Sequence, residues 1–127
     1  MTEASPRRLG VFLFTDFELL DAFGPLEMFG SLFGSIDVHL VAQHKGPVKS
    51  AQGPQAVAEF GFDDCPHLDL VLVPGGMGTR VEIDKPATID WLRQRVGAAE
   101  VAMTVCTGTA LFARAGVLDG RRAPSLR

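Results

Sequence analysis

Cys106 carries the strongest chemical signal in the sequence, because it lies where a strand pattern changes into a helix pattern. Val101-Ala102-Met103-Thr104-Val105 reads as a buried strand, and Thr109-Ala110-Leu111-Phe112-Ala113-Arg114-Ala115-Gly116 reads as a helix. The junction between them, Cys106-Thr107-Gly108, is short enough that Cys106 must occupy a sharp strand-to-helix turn. A side chain on such a turn projects above the sheet, and the first amides of the new helix point toward it with the positive end of the helix dipole. Both features favour thiolate over thiol, so the sequence predicts a cysteine nucleophile active near neutral pH. Most free cysteines are small buried core residues. A core cysteine, however, has no need of Gly108 two residues later to let the backbone turn.

Two further strand ends carry unusual residues: Asp21, shortly after the first predicted strand, and Gly75-Gly76, after a middle one. In a parallel sheet these ends lie along one edge together with Cys106-Thr107. A nucleophile, a carboxyl group and exposed backbone amides are what addition to an electrophilic carbon requires. Cys106 would attack, the amides of Gly76 and Thr107 would stabilise the developing anion, with Gly75 beside them, and Asp21 would move the proton. Taken singly, an acid near a helix start and a Gly-Gly turn are common structural features. Their convergence favours function. Asp16 and Glu18 are rival carboxylates in the same loop; Asp21 is preferred because its setting between Leu20 and Ala22 would partly desolvate it and favour a protonated form able to hydrogen-bond a thiolate. Cys65, in Asp63-Asp64-Cys65-Pro66, sits among acids that would keep its thiol protonated, and is taken as incidental.

The elements that must position these residues alternate. Leu9-Gly10-Val11-Phe12-Leu13-Phe14 is a nearly all-apolar strand, and apolar residues then recur at helical spacing from Leu19 to Phe33. Gly24-Pro25 should kink this helix or restart it with Pro25 in its first turn. Ile36 to Ala42 is a second strand, carrying His39 as an ordinary strand residue, and Gly46 to Ser50 with Ala56 to Phe60 is a hairpin appended to the sheet. Leu68 to Val73 is a buried strand ending in Pro74-Gly75-Gly76-Met77-Gly78, and Lys85 to Val96 is an amphipathic helix with Gly97 as its C-cap. This order predicts one domain of the doubly wound α/β class, a mostly parallel, flavodoxin-like sheet with sites at the carboxyl ends of its strands.

With 127 residues, 46% hydrophobic and 21% charged, and a net charge of −3, the chain is of ordinary soluble globular composition. It lacks the basic surplus that nucleic acid or anionic lipid would attract. The two cysteines make no disulfide framework and the N-terminus has no signal-like apolar stretch, which predicts a cytoplasmic protein. His39, His44 and His67 are scattered, so no metal is expected.

The chain resembles the ThiJ/PfpI family of the class I glutamine amidotransferase-like fold in four segments: Leu20-Asp21-Ala22-Phe23-Gly24-Pro25, Val73-Pro74-Gly75-Gly76, Val105-Cys106-Thr107-Gly108 and Ala115-Gly116-Val117-Leu118-Asp119-Gly120-Arg121-Arg122-Ala123. Within that family its opening is most similar to isonitrile hydratases and to the ligand-sensing domains of AraC-type regulators. The resemblance implies Cys106 as nucleophile, Asp21 as its acidic partner, Gly76 and Thr107 as anion-stabilising amides, and hydration of a small isonitrile to an N-substituted formamide by a cofactor-free hydro-lyase. It also implies a homodimer once the fold is complete. The alternatives are a non-enzymatic small-molecule or redox sensor and an inactive relic. Family members continue past Arg121-Arg122-Ala123 with a threonine-rich stretch and further elements, whereas here Pro124-Ser125-Leu126-Arg127 follows, so a C-terminally incomplete domain is expected.

Overall fold

A computed structural model describes residues 6–31 and 35–116. The motif from Val117 to Ala123, the expected incomplete end and the last turn expected of the first helix, Leu32 and Phe33, lie outside the described residues. Among the described residues the order is β1 (Arg7–Phe12), α1 (Leu19–Gly30), β2 (Ile36–Val41), β3 (Gly46–Lys49), β4 (Gln55–Ala58), β5 (Leu70–Val73), α2 (Thr79–Glu82), α3 (Pro86–Ala98), β6 (Val101–Thr104) and α4 (Gly108–Ala115). A four-stranded sheet runs β2-β1-β5-β6 with every pairing parallel. The central strands explain the apolar runs. Leu9, Val11 and Phe12 of β1 and all of β5 are buried, as strands covered on both faces must be.

The crossovers leave β1 in opposite directions. The chain goes through α1 to β2 on one side, and β5 through α3 to β6 extends the sheet on the other. Because parallel crossovers are right-handed, opposite directions place α1 and α3 on opposite faces, which is the doubly wound arrangement expected. α1 packs against β2, and α3 against α4. Ile89, Leu92 and Val96 form the buried stripe of α3, joined by Thr88 and Trp91.

One helix expectation needs correction, and of the two alternatives at Gly24-Pro25 the restart is excluded. α1 runs unbroken through Gly24 and Pro25, with Pro25 inside it rather than at a new start. Pro25 removes only the donor to the Asp21 carbonyl, and the following turns still bond normally. Gly97 is not a C-cap; α3 continues to Ala98 and ends on Ala99 in extended conformation, while Gly97 faces solvent. α2, four residues long, is too short to leave a periodic signature in the sequence.

The hairpin is a separate two-stranded antiparallel sheet, not an extension of the main one. It is stitched to it by single bridges, Val41 to Phe60 and Phe17 to Ser50. Asp16 N–H donates to the Lys49 carbonyl at 2.8 Å and Ala51 N–H to the Phe17 carbonyl at 2.8 Å, so the hairpin braces the loop between β1 and α1.

Close backbone approach sets the glycines at the site end. A Cβ on Gly108 would stand 2.5 Å from the Val73 carbonyl oxygen and 2.8 Å from that of Pro74. Gly108→Ala is therefore a clean sign test. Alanine is preferred over glycine in a helix by roughly 0.8–1.0 kcal/mol, yet the contact with rigid backbone should make the substitution destabilising by about 1–3 kcal/mol overall. Urea unfolding at equilibrium measures it, and a stabilised variant would show that α4 does not sit this tightly on the end of β5.

Candidate functional site

Because β1 connects outward to β2 while β5 lies on its other side, the carboxyl ends of β1 and β5 flank the switch point of the sheet. The carboxyl end of the sheet beside such a switch point is the usual ligand position in this architecture. Asp21 follows β1, Gly75 and Gly76 follow β5, and Cys106 follows β6 beside it. The expected convergence is present.

Cys106 occupies the left-handed region with φ of 51°, a conformation that costs a non-glycine residue about 1–3 kcal/mol unless its surroundings impose it. They do. Val105 N–H donates to the Val73 carbonyl at 3.0 Å, Gly108 N–H to the Val105 carbonyl at 3.0 Å and Thr109 N–H to the Cys106 carbonyl at 3.3 Å. The hydroxyls of Thr104, last in β6, and Thr109, second in α4, meet at 2.6 Å and clip the two limbs of the turn together. The result is an exposed thiol on a fixed turn, as the sequence predicts.

Asp21 lies in the first turn of α1, its carboxylate accepts the Gly75 amide at 3.3 Å, and its charge acts on the Cys106 thiol. Of the rival acids, Glu18 is N-cap of α1 and its carboxylate is held by Gln52 Nε2 at 3.0 and 3.1 Å, while Asp16 serves the loop through its backbone, with φ of 66°. Asp21 is thus the acid in contact with the thiol, and Glu18 acts on it through space.

The thiolate expectation is corrected in its direction. The Cys106 thiol is pushed above its ordinary value by partial desolvation, by the charge of Asp21, by the hydrogen bond to Asp21 and by the charge of Glu18. Desolvation and the two carboxylates push the same way, against the helix dipole. A helix N-terminus is worth ~0.3–1 kcal/mol to an exposed anion. A full charge at about 4 Å is worth roughly 1–4 kcal/mol between bulk water and a protein surface, so Asp21 outweighs the dipole. Cys65 is buried and its thiol is also raised, first by burial, against the opposing charge of Arg95, with Asp64 adding to the rise.

The amides expected to receive an anion differ from each other. Thr107 N–H donates to no group among the described residues. Gly76 N–H is occupied, donating to Thr107 Oγ1 at 3.0 Å, while Thr79 Oγ1 donates to the Gly76 carbonyl at 2.8 Å. Gly75 closes the packing: a Cβ there would lie 2.8 Å from Thr107 N. Thr79, Thr104, Thr109 and Gln52 were missed in the sequence. Only the threonines flanking Cys106 left a signal there, by their position at the limbs of the turn.

A cavity of about 180 Å³ lies apart from the thiol, lined by Phe12, Phe14, Pro47, Val48, Glu82 and Lys85 among others. Its buried charge, Glu82, is already bonded to Thr88 Oγ1 at 2.8 Å and Lys85 Nζ at 3.0 Å. The chemistry therefore points to the Cys106 turn. Among the described residues no three His, Cys, Asp or Glu side chains are grouped to hold a metal ion, and no helix is long and apolar enough to cross a membrane.

The sequence matches the DJ-1/PfpI family over residues 7–126. The chain belongs to this family. A solved ThiJ/PfpI family protein from Pseudomonas syringae superimposes with a TM-score of 0.84 at 28% identity, covering 91% of this chain and 48% of that one. The isonitrile hydratase of Pseudomonas putida is 37% identical over 116 residues, covering 91% of this chain and 50% of the relative. The HTH-type transcriptional regulator GbdR of Pseudomonas aeruginosa is 30% identical over 121 residues, covering 91% of this chain and 33% of the regulator. This DJ-1/PfpI chain spans half the length of the hydratase it matches, or less of the regulator.

The site's electrostatics give a signed prediction. Asp21→Asn removes the nearest negative charge, so the pH midpoint for alkylation of Cys106 by iodoacetamide should fall and the rate near neutral pH should rise about three- to tenfold. Glu18→Gln should move it the same way by less. Peptide mass spectrometry resolved at Cys106 reads the rates, and an unmoved or raised midpoint in Asp21→Asn would contradict the assigned contact.

Proposed function

We propose that this DJ-1/PfpI chain carries the cysteine half-site of a hydratase that adds water to a small isonitrile. The observation that carries the reading is the left-handed Cys106 turn beside an Asp21 carboxylate that accepts the Gly75 amide and whose charge bears on the thiol. The likeness to the Pseudomonas putida isonitrile hydratase, which extends over 91% of the chain, supplies the substrate class.

In this reading the resting thiol is protonated and Asp21 is its base. Asp21 takes the proton as sulfur bonds to the isonitrile carbon, then delivers it to that carbon, leaving a thioimidate with a carbon–nitrogen double bond. Water adds next: its oxygen bonds to the carbon and a proton goes to nitrogen. The tetrahedral carbon collapses, the carbon–sulfur bond breaks, and the hydroxyl proton returns through Asp21 to sulfur. The sum, isonitrile plus water to N-substituted formamide, transfers no electrons to a co-reactant. The open Thr107 amide faces the charge that develops in these steps, and Gly76 N–H joins it when the Thr107 hydroxyl rotates away.

A second reading, a small-molecule sensing domain, is favoured by the likeness to GbdR and by the occupied Gly76 amide. One experiment separates the two. Incubation with a simple alkyl isonitrile should produce the formamide by liquid chromatography and mass spectrometry. Cys106→Ser should abolish it, and Asp21→Asn should lower kcat by about 10²–10⁴-fold, the usual size of a general acid–base contribution. A thermal shift with no turnover, unchanged in Cys106→Ser, would instead support the sensor.

A further inference from the structure

The loop from Thr15 to Leu19 holds Glu18 and the start of α1, and hence Asp21, against the thiol. One side chain from outside that loop grips it twice. Gln52, on the turn between β3 and β4, accepts the Leu19 amide on Oε1 at 3.2 Å and donates from Nε2 to both Glu18 carboxylate oxygens, at 3.1 and 3.0 Å. Leu19 is the first residue of α1, so its N–H is one of the helix's orphan donors. Glu18, the N-cap residue, makes no side-chain cap of its own. The capping that a Ser or Asp at position 18 would perform is thus done from a distance by an amide that also fixes the Glu18 charge.

The turn that carries Gln52 is itself rigid. Ser50 is fully buried, its hydroxyl donates to the Pro54 carbonyl at 2.6 Å and its N–H to the same carbonyl at 3.0 Å, and Gly53 takes φ of 110° with its N–H on the Ser50 carbonyl at 3.1 Å. Main-chain bonds just before Gln52 lock the turn to the loop, from Asp16 to Lys49 and from Ala51 to Phe17. A long, exposed glutamine loses rotamer freedom when held in one place, and two anchored ends of one planar amide reduce what each bond must offset.

We propose that Gln52 is a positioning residue for the Cys106–Asp21 pair: its amide caps α1 and clamps the Glu18 carboxylate, fixing the helix turn and the second negative charge that face the thiol. Gln52 thereby gives the β3–β4 hairpin, which makes no part of the main sheet, a function at the site. The inference rests on Cys106 as the reactive group, but not on the isonitrile reaction, and its test does not use that reaction.

The experiment follows the pH dependence of Cys106 alkylation by iodoacetamide, site-resolved by mass, in Gln52→Glu, Glu18→Gln and the double variant. Gln52→Glu keeps the shape and the acceptor for Leu19 but sets a carboxylate against Glu18. Its added charge should raise the alkylation midpoint and slow the reaction near neutral pH by about two- to fivefold. In the double variant the donor and acceptor are exchanged, Gln at 18 and Glu at 52, which restores the bond and the net charge. The rate should then return to within about twofold of wild type and differ from the product of the two single-variant effects, which is the value independent sites would give.

A tether that merely holds the hairpin down would lower the melting temperature and leave the profile where it was; that result overturns the proposal. Slowing by Gln52→Glu that the double variant fails to relieve also overturns it, because the charge would then act directly and not through the clamp. Should Gln52→Glu not fold, Gln52→Ala replaces it: its effect on the profile should fall at least twofold in a Glu18→Gln background, where only the cap of Leu19 is left to lose, and an effect of undiminished size there contradicts the clamp. Loss of formamide production in every variant, wild type included, would sink the hydratase reading and leave these outcomes readable.

Discussion

The close passage of residues 75–78 between two other loops is the constraint on which the site depends. On one side a Cβ at Gly76 would meet the Asp16 carbonyl oxygen at 2.6 Å and the Glu18 amide at 2.7 Å, and on the other a Cβ at Gly75 would meet Thr107 Oγ1 at 2.7 Å. Gly76 has φ of 130°, which only glycine adopts without strain. Backbone thus replaces side chains as the packing surface. The hydrogen bonds follow from that contact: Glu18 N–H to the Gly75 carbonyl at 2.9 Å, Gly78 N–H to the Asp16 carbonyl at 3.2 Å, and the Gly75 amide to Asp21. One glycine-rich segment therefore holds the acid on its one side and the elbow on its other.

That geometry decides the resting chemistry. A cysteine at a helix start beside no acid would be a standing thiolate, reactive but also open to oxidation. Here partial desolvation, the charge of Asp21 and that of Glu18 reverse the sign. The pair is better suited to moving one proton between sulfur and carboxylate during addition than to presenting a permanent anion. The strain at Cys106 and the clip between Thr104 and Thr109 fix the turn that carries the sulfur.

Much of this was legible in the sequence because it depends on residue type at short range. A cysteine between a strand pattern and a helix pattern, with Gly108 following, specifies a turn, and the apolar runs of β1 and β5 specify strands covered on both faces. Asp21 and Gly75 could be placed on the same edge because parallel strands align their ends. The sign of the thiol's shift was not legible: it depends on how close residue 21 comes to residue 106, which only packing across the sheet determines. Gly97 and Pro25 misled because each residue type has a boundary use and a tolerated interior use, and local sequence does not choose between them. Gln52 left no signal at all, since a glutamine in a hairpin turn is ordinary until the turn is folded onto Glu18.

The central claim is that Cys106, and no other group, forms a bond to carbon. Intact and peptide mass spectrometry of the protein after exposure to an alkyl isonitrile, quenched at short times, tests it most directly. The account predicts an adduct equal in mass to one whole isonitrile, located on Cys106 and absent in Cys106→Ser. A Cys106 that iodoacetamide still alkylates, but that never carries the isonitrile mass at any time or pH, would contradict it.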